Sequence, residues 1–92
     1  MQIIEDIALC ESKQDPMALN PDDGGSRSVG YVQFKDQTFL EQIRRFGLYS
    51  YVEDEELKNL IWDKYVQKEL MYQMLMEDID NLIHWKNCSQ KL

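Results

Sequence analysis

Glu11 follows Ile7 and Ala8 by one turn in a segment, Gln2 to Lys13, whose apolar residues Ile3, Ile4, Ile7 and Ala8 recur at helical spacing. That spacing puts its carboxyl on or beside a buried face. Burial disfavours the charged form of a carboxyl, so such a group keeps its proton to higher pH than usual. An acid still protonated near neutrality can hand a proton to a leaving group, and cleavage of a glycosidic bond is one task that requires this. On spacing alone, a single glutamate at a helix end is more often purely structural. Asp22 and Asp23 follow in a D-D-G-G string. They could face the same groove and position water or steady a positive centre, but turn formation also accounts for them. No calcium-loop ligand pattern follows these aspartates, and no metal is expected.

The remaining reactive side chains are few. Two cysteines and one histidine, His84, are too few for the usual zinc ligand sets. Cys10 and Cys88 read either as two buried thiols or as one disulfide. A bond between them would close a loop of nearly the whole chain, worth roughly 4–5 kcal/mol in the chain-entropy model. His84, beside Trp85, reads as a partly exposed capping or packing residue. Met71, Met74 and Met76 read as adaptable core filling.

These groups must be positioned by a small scaffold. The 92 residues fit one domain with a thin core, at 43% hydrophobic and 29% charged. The net charge of −7 argues against nucleic acid, whose binding depends on Lys and Arg neutralising phosphates. No apolar run approaches the roughly 20 residues of a membrane span. No secretory signal is visible, which leaves the cytoplasm, a processed fragment or another export route.

From Gln14 to Ser28 the turn signals are dense, and the segment reads as an irregular functional loop. Val29 to Phe34 is a short apolar run. Asp36 or Thr38 can cap a helix that runs to about Phe46, with Phe39, Leu40, Ile43 and Phe46 inward and Gly47 as its stop. Leu48 to Val52 connects to an acidic helix start at Glu53 to Glu56, with Leu57, Leu60 and Ile61 as its apolar side. Asp63 can cap a helix from Lys64 to Glu77 with Val66, Leu70, Met71, Met74 and Leu75 inward. The pattern leaves open whether the chain breaks near Trp62. Asn81 to Cys88 forms a short closing segment.

Set in order, Cys10-Glu11-Ser12, Asn20-Pro21, Ser28-Val29-Gly30, Gln33-Phe34, Thr38-Phe39, Gly47-Leu48, Trp62-Asp63, Gln67, and Trp85 with Cys88 form a pattern. Glu11-Ser12 and Gly30-Tyr31-Val32-Gln33 resemble the first two motifs of the goose-type lysozyme and soluble lytic transglycosylase family. The ordered set, over about residues 3 to 88, is similar to its small single-domain transglycosylase-like subgroup. The resemblance implies a mainly α, lysozyme-like fold with an irregular or short β-like segment as one wall of the active-site groove. It implies cleavage of the β-1,4 bond between N-acetylmuramic acid and N-acetylglucosamine, with Glu11 as general acid. In the transglycosylase branch, the first choice here, Glu11 then acts as base while the muramyl 6-hydroxyl closes to a 1,6-anhydro product. In the lysozyme branch water attacks.

The same resemblance gives Ser12, Gly30 and Gln33 the family's glycan-contacting or orienting positions. Asp22, Asp23, Ser28 and Tyr31 are further substrate-binding candidates, and Tyr72 could stand in for a third-motif tyrosine. Gln33 and Ser28 serve equally as loop-holding residues, and Tyr31 as packing. Lys35 stands where goose-type members often carry Asp. A Cys10–Cys88 disulfide is implied, with no cofactor. The implied partners are peptidoglycan glycan strands or chitooligosaccharides, bound by a monomer in an extracellular or periplasmic setting. The rival expectations are a glycan-binding module of the same fold without turnover and a helical protein-interaction domain.

Overall fold

The computed structural model describes residues 1–92. Helix α1, Gln2–Ser12, buries Ile4, Ile7, Ala8 and Ser12, the stripe its spacing predicts. It stops where Lys13 turns left-handed at φ 57°. The N–H groups of Lys13 and Gln14 then close back on Leu9 O and Ala8 O, both at 3.1 Å, and satisfy carbonyls that the helix end leaves open.

The expected irregular loop is instead largely a sheet. Strands β1 (Leu19–Asp23), β2 (Ser26–Val29) and β3 (Phe34–Lys35) form an antiparallel sheet in the order β1-β2-β3. Leu19 pairs with Val29, Asn20 with Ser28, Asp23 with Ser26, and Val29 again with Phe34. The D-D-G-G string is the hairpin tip. Asp22 Oδ1 accepts the Gly25 N–H at 3.2 Å there. The ladder slips between Asn20 and Asp23, around Pro21, which has no N–H to donate.

Helix α2, Asp36–Arg45, buries Phe39 and Ile43, and Phe46 caps its C-terminal end. Neither Asp36 nor Thr38 is its N-cap: Lys35 holds that position with no side-chain bond. Asp36 is drawn away by a two-pronged pair with Arg27, at 2.6 and 2.9 Å. Helix α3, Asp54–Asn59, runs into a 3-10 turn, Leu60–Trp62, and the chain breaks at extended Asp63. Asp63 caps α4, Lys64–Glu77, by accepting the N–H groups of Tyr65 and Val66 at 2.8 and 3.3 Å. A 3-10 stretch, Ile79–Trp85, and the short α5, Lys86–Ser89, close the chain.

The core gathers on α4. Leu70, Met71 and Met74 are fully enclosed with Ile7, Ala8, Phe39, Ile43, Leu57 and Ile61. Phe34 packs edge-on between Phe39 and Trp85, with ring centroids 5.9 and 5.3 Å apart. This ties the sheet to the closing segment. Cys10 and Cys88 are joined as a disulfide, Cα to Cα 5.8 Å. The architecture is therefore mainly α with one short antiparallel sheet. No helix is long and apolar enough to cross a membrane.

Candidate active site

The last turn of α1 presents Glu11 and Ser12 in different directions. Ser12 is buried, with Oγ donating to Tyr31 O at 2.6 Å and accepting the Asp15 N–H at 3.1 Å. It pins the helix end to the turn Gly30–Gln33. Glu11 turns instead toward an open cleft of about 410 Å3. One wall of this cleft is the sheet, through Asn20, Asp23 and Lys35; the other is the run Ile83–Cys88.

Glu11 is half-buried, and its carboxyl takes part in no side-chain hydrogen bond or ion pair. Burial pushes its pKa above the ordinary carboxylate range. The negative charge of Asp23 adds to the rise, and Lys91 opposes it. Asp23 is held in place by Ser28, whose Oγ donates to Asp23 Oδ2 at 2.6 Å. Lys35 Nζ donates to the Asp23 carbonyl and to Ser26 Oγ, bracing the same wall.

The cleft continues past Lys35, His84 and Trp85 into a notch of about 70 Å3 that adds Gln33, Phe34 and Thr38. Beyond Lys35 and Thr38 lies a polar hollow of about 320 Å3 lined by Ser26, Arg27, Asp36 and Glu41. Gln33 sits at positive φ, 59°. Its Nε2 donates to Ala18 O and Gly30 O at 3.1 and 3.0 Å, which fixes the amide at the groove floor.

Of the residues expected to bind substrate, Asp23 shares the Glu11 cleft and Gln33 lines its continuation. The others lie elsewhere. Asp22 is spent on the hairpin tip. Ser12 and Ser28 are enclosed, and act on the site only through Tyr31 O and Asp23. Gly30 is buried, at φ 85°, against Gln67. Tyr31 points away from the cleft to α1, where its hydroxyl donates to Glu5 Oε2 at 2.5 Å. That bond, with burial, pushes the phenol up to about 12. Tyr72 is 42% exposed on α4 and outside the groove.

Among the cleft residues that sequence reasoning gave no substrate role are three with ionisable side chains, Lys35, His84 and Lys86. Lys35 carries a signal in hindsight, since it occupies a position where the resemblance calls for an acid. His84 stacks edge-on against Trp85, centroids 5.8 Å apart. No three His, Cys, Asp or Glu side chains stand together as metal ligands.

Chemically, the arrangement offers one carboxyl with a raised pKa and a second carboxyl, held by Ser28, lining the same open cleft. No protein-family model, curated protein or solved structure matches the chain.

Proposed function

We propose that this protein is a peptidoglycan-cleaving muramidase, acting as a lytic transglycosylase on the bond between N-acetylmuramic acid and N-acetylglucosamine. The observation that carries this reading is the unpartnered, half-buried carboxyl of Glu11, its pKa raised, lining an open cleft that it shares with Asp23. The disposition of Glu11 suits a general acid, because desolvation keeps the proton on until the glycosidic oxygen takes it. Once ionised, the same carboxylate is a base for the sugar's own 6-hydroxyl.

Asp23 favours a second reading of the outcome, hydrolysis. A carboxylate held by Ser28 in the same cleft can orient an incoming water or steady the oxocarbenium-like centre. The ordered motif set and the Cys10–Cys88 bond support the lysozyme-like assignment as a whole.

Mass spectrometry of muropeptides released from purified cell walls tests the proposal. An anhydro product, lighter than the hydrolytic one by one water, about 18 mass units, establishes the transglycosylase branch. The heavier product moves the assignment to the lysozyme branch. Absence of any product, together with wall binding that persists in Glu11→Gln, replaces the enzyme with a glycan-binding module.

A further inference from the structure

The disulfide joins α1, at the residue before Glu11, to one wall of the cleft. Cys10 precedes Glu11 on α1, and Cys88 ends the run Ile83–Cys88 that forms the wall facing the sheet. No side-chain hydrogen bond, loop backbone bond or ion pair joins α1 to residues 79–92. The rest of the closing segment is anchored to other parts of the molecule. Trp85 Nε1 donates to Val32 O at 2.7 Å, and Asn81 Nδ2 donates to Met74 O at 2.7 Å. Phe34 packs edge-on against Trp85. The wall thus has a fixed end at Asn81–Trp85 and an end at Lys86–Leu92 whose one covalent tie to α1 is the bond to Cys10.

We propose that Cys10–Cys88 is a redox latch on the cleft: oxidised, it holds the wall over Glu11; reduced, it releases residues 86–92 while the rest of the fold stays intact. The proposal rests on the reading of Glu11 as the site's acid. The step is thiol–disulfide exchange with a dithiol. The dithiol's two sulfurs give up two electrons and two protons and become bonded to each other. The Cys10–Cys88 bond breaks, and each cysteine leaves as a thiol. Cys10 lies at an exposed position, and Cys88 is buried beneath the wall. The exchange therefore starts with attack on the Cys10 sulfur, with Cys88 as the leaving thiolate.

Opening the wall returns water to Glu11 and withdraws Lys91 with the freed segment. Burial is the largest cause of the raised Glu11 pKa and Lys91 the smallest, so hydration of the opened cleft is the change that sets the direction. The site then has a weaker acid function and a misplaced wall. Cys10 and Cys88 are in this sense positioning residues and touch no substrate themselves.

The test equilibrates the full chain in buffers of reduced and oxidised dithiothreitol at graded potential. It follows three readouts: far-UV circular dichroism, the Glu11 carboxyl titration by NMR, and release of soluble muropeptides. The expected result on reduction is a retained helical spectrum and a Glu11 titration moved down toward the ordinary carboxyl range. Turnover falls about a hundredfold, the scale of loss from an ångström-level displacement. All three readouts reverse on reoxidation. The double variant Cys10→Ser, Cys88→Ser is expected to match the reduced chain and to ignore the buffer. An unchanged Glu11 titration overturns the latch. So does global unfolding on reduction, which would make the bond a staple of the whole fold. A titration that shifts while neither redox form releases muropeptides leaves the latch standing and removes the muramidase reading.

Discussion

The amide nitrogen of Gln67 fills the space that a side chain at Gly30 would need: a Cβ at Gly30 would lie 2.4 Å from Gln67 Nε2. Gln67 is wholly buried on α4. Its Nε2 donates to Val29 O and Ile61 O at 2.8 and 2.6 Å, and its Oε1 accepts the Val32 N–H at 2.9 Å. One amide therefore ties together the turn that carries Gln33, the strand that carries Ser28, and the 3-10 turn before α4. Glycine at position 30 is what lets that amide pass.

Gly30→Ala is expected to destabilise the fold by about 2–4 kcal/mol, combining a left-handed residue with a Cβ and a displaced buried amide. Gly24→Ala provides the control. Its φ is also positive, 67°, but nothing lies within 4 Å of the added Cβ. Its cost is expected to stay near the backbone term alone, about 1 kcal/mol. Urea midpoints of the two variants measure the difference. Equal losses would mean that Gln67 does not hold the turn.

Gln67→Met keeps the volume and strands three buried backbone groups at once. A single unsatisfied buried group costs about 1–3 kcal/mol, so the expected loss is at least about 3 kcal/mol. Backbone amide exchange at Val32 should accelerate by at least a hundredfold, since that N–H loses its acceptor. Exchange at Val32 that stays slow in the variant would show that another group takes over.

Much of the helical frame was legible because it is amphipathic. The stripe Val66, Leu70, Met71, Met74 and Leu75 is the buried face of α4, and Asp63 caps it as its position before the stripe predicts. The sheet was not legible in the residue pattern, where only the resemblance implied a short β-like wall, because β1 is exposed along its whole length and shows no alternation between core and solvent. Its existence depends on pairing with β2, and that pairing is what carries Asp23 across to Glu11. Gln67 was opaque for a different reason. Between Val66 and Lys68 it entered the reading only as a member of the ordered motif set, and only the turn packed over it makes it a fully satisfied polar group in the core. Tyr31 read as a groove residue from its place beside Gly30, yet the left-handed turn at that glycine sends it to the other side.

On that other side Glu5 accepts from the Tyr31 hydroxyl and pairs with Lys68 at 2.6 Å. Lys68 first, then Tyr31, lowers the Glu5 pKa, and the bond to Glu5 raises that of Tyr31 to about 12. The two shifts give opposite signs. The contribution of Glu5 is present above the ordinary carboxyl value of 4.5 and is lost as pH falls through its lowered folded value. The contribution of Tyr31 is present below its ordinary value of 10.0 and is lost as pH rises toward about 12. Glu5→Gln is therefore expected to cost stability at pH 7 and progressively less as the solution is acidified below 4.5. A Tm difference between wild type and variant that stays constant from pH 7 to pH 3 would dissolve the assigned pairing.

Glu11 carries the opposite sign from Glu5. A carboxyl whose pKa is raised by burial is more comfortable protonated, so the folded state loses stability relative to the unfolded chain as pH rises through the interval between the two values. Glu11→Gln removes that titration while keeping the shape. The variant is expected to gain Tm relative to wild type between pH 4 and pH 7. The same substitution removes the proton donor, and a loss of about 10²–10⁴-fold in muropeptide release is expected. The two results are linked through one carboxyl. If Glu11→Gln is instead less stable than wild type at pH 7 and recovers at pH 4, Glu11 acts as a paired carboxylate, and a group paired in that way has no proton to give at neutral pH.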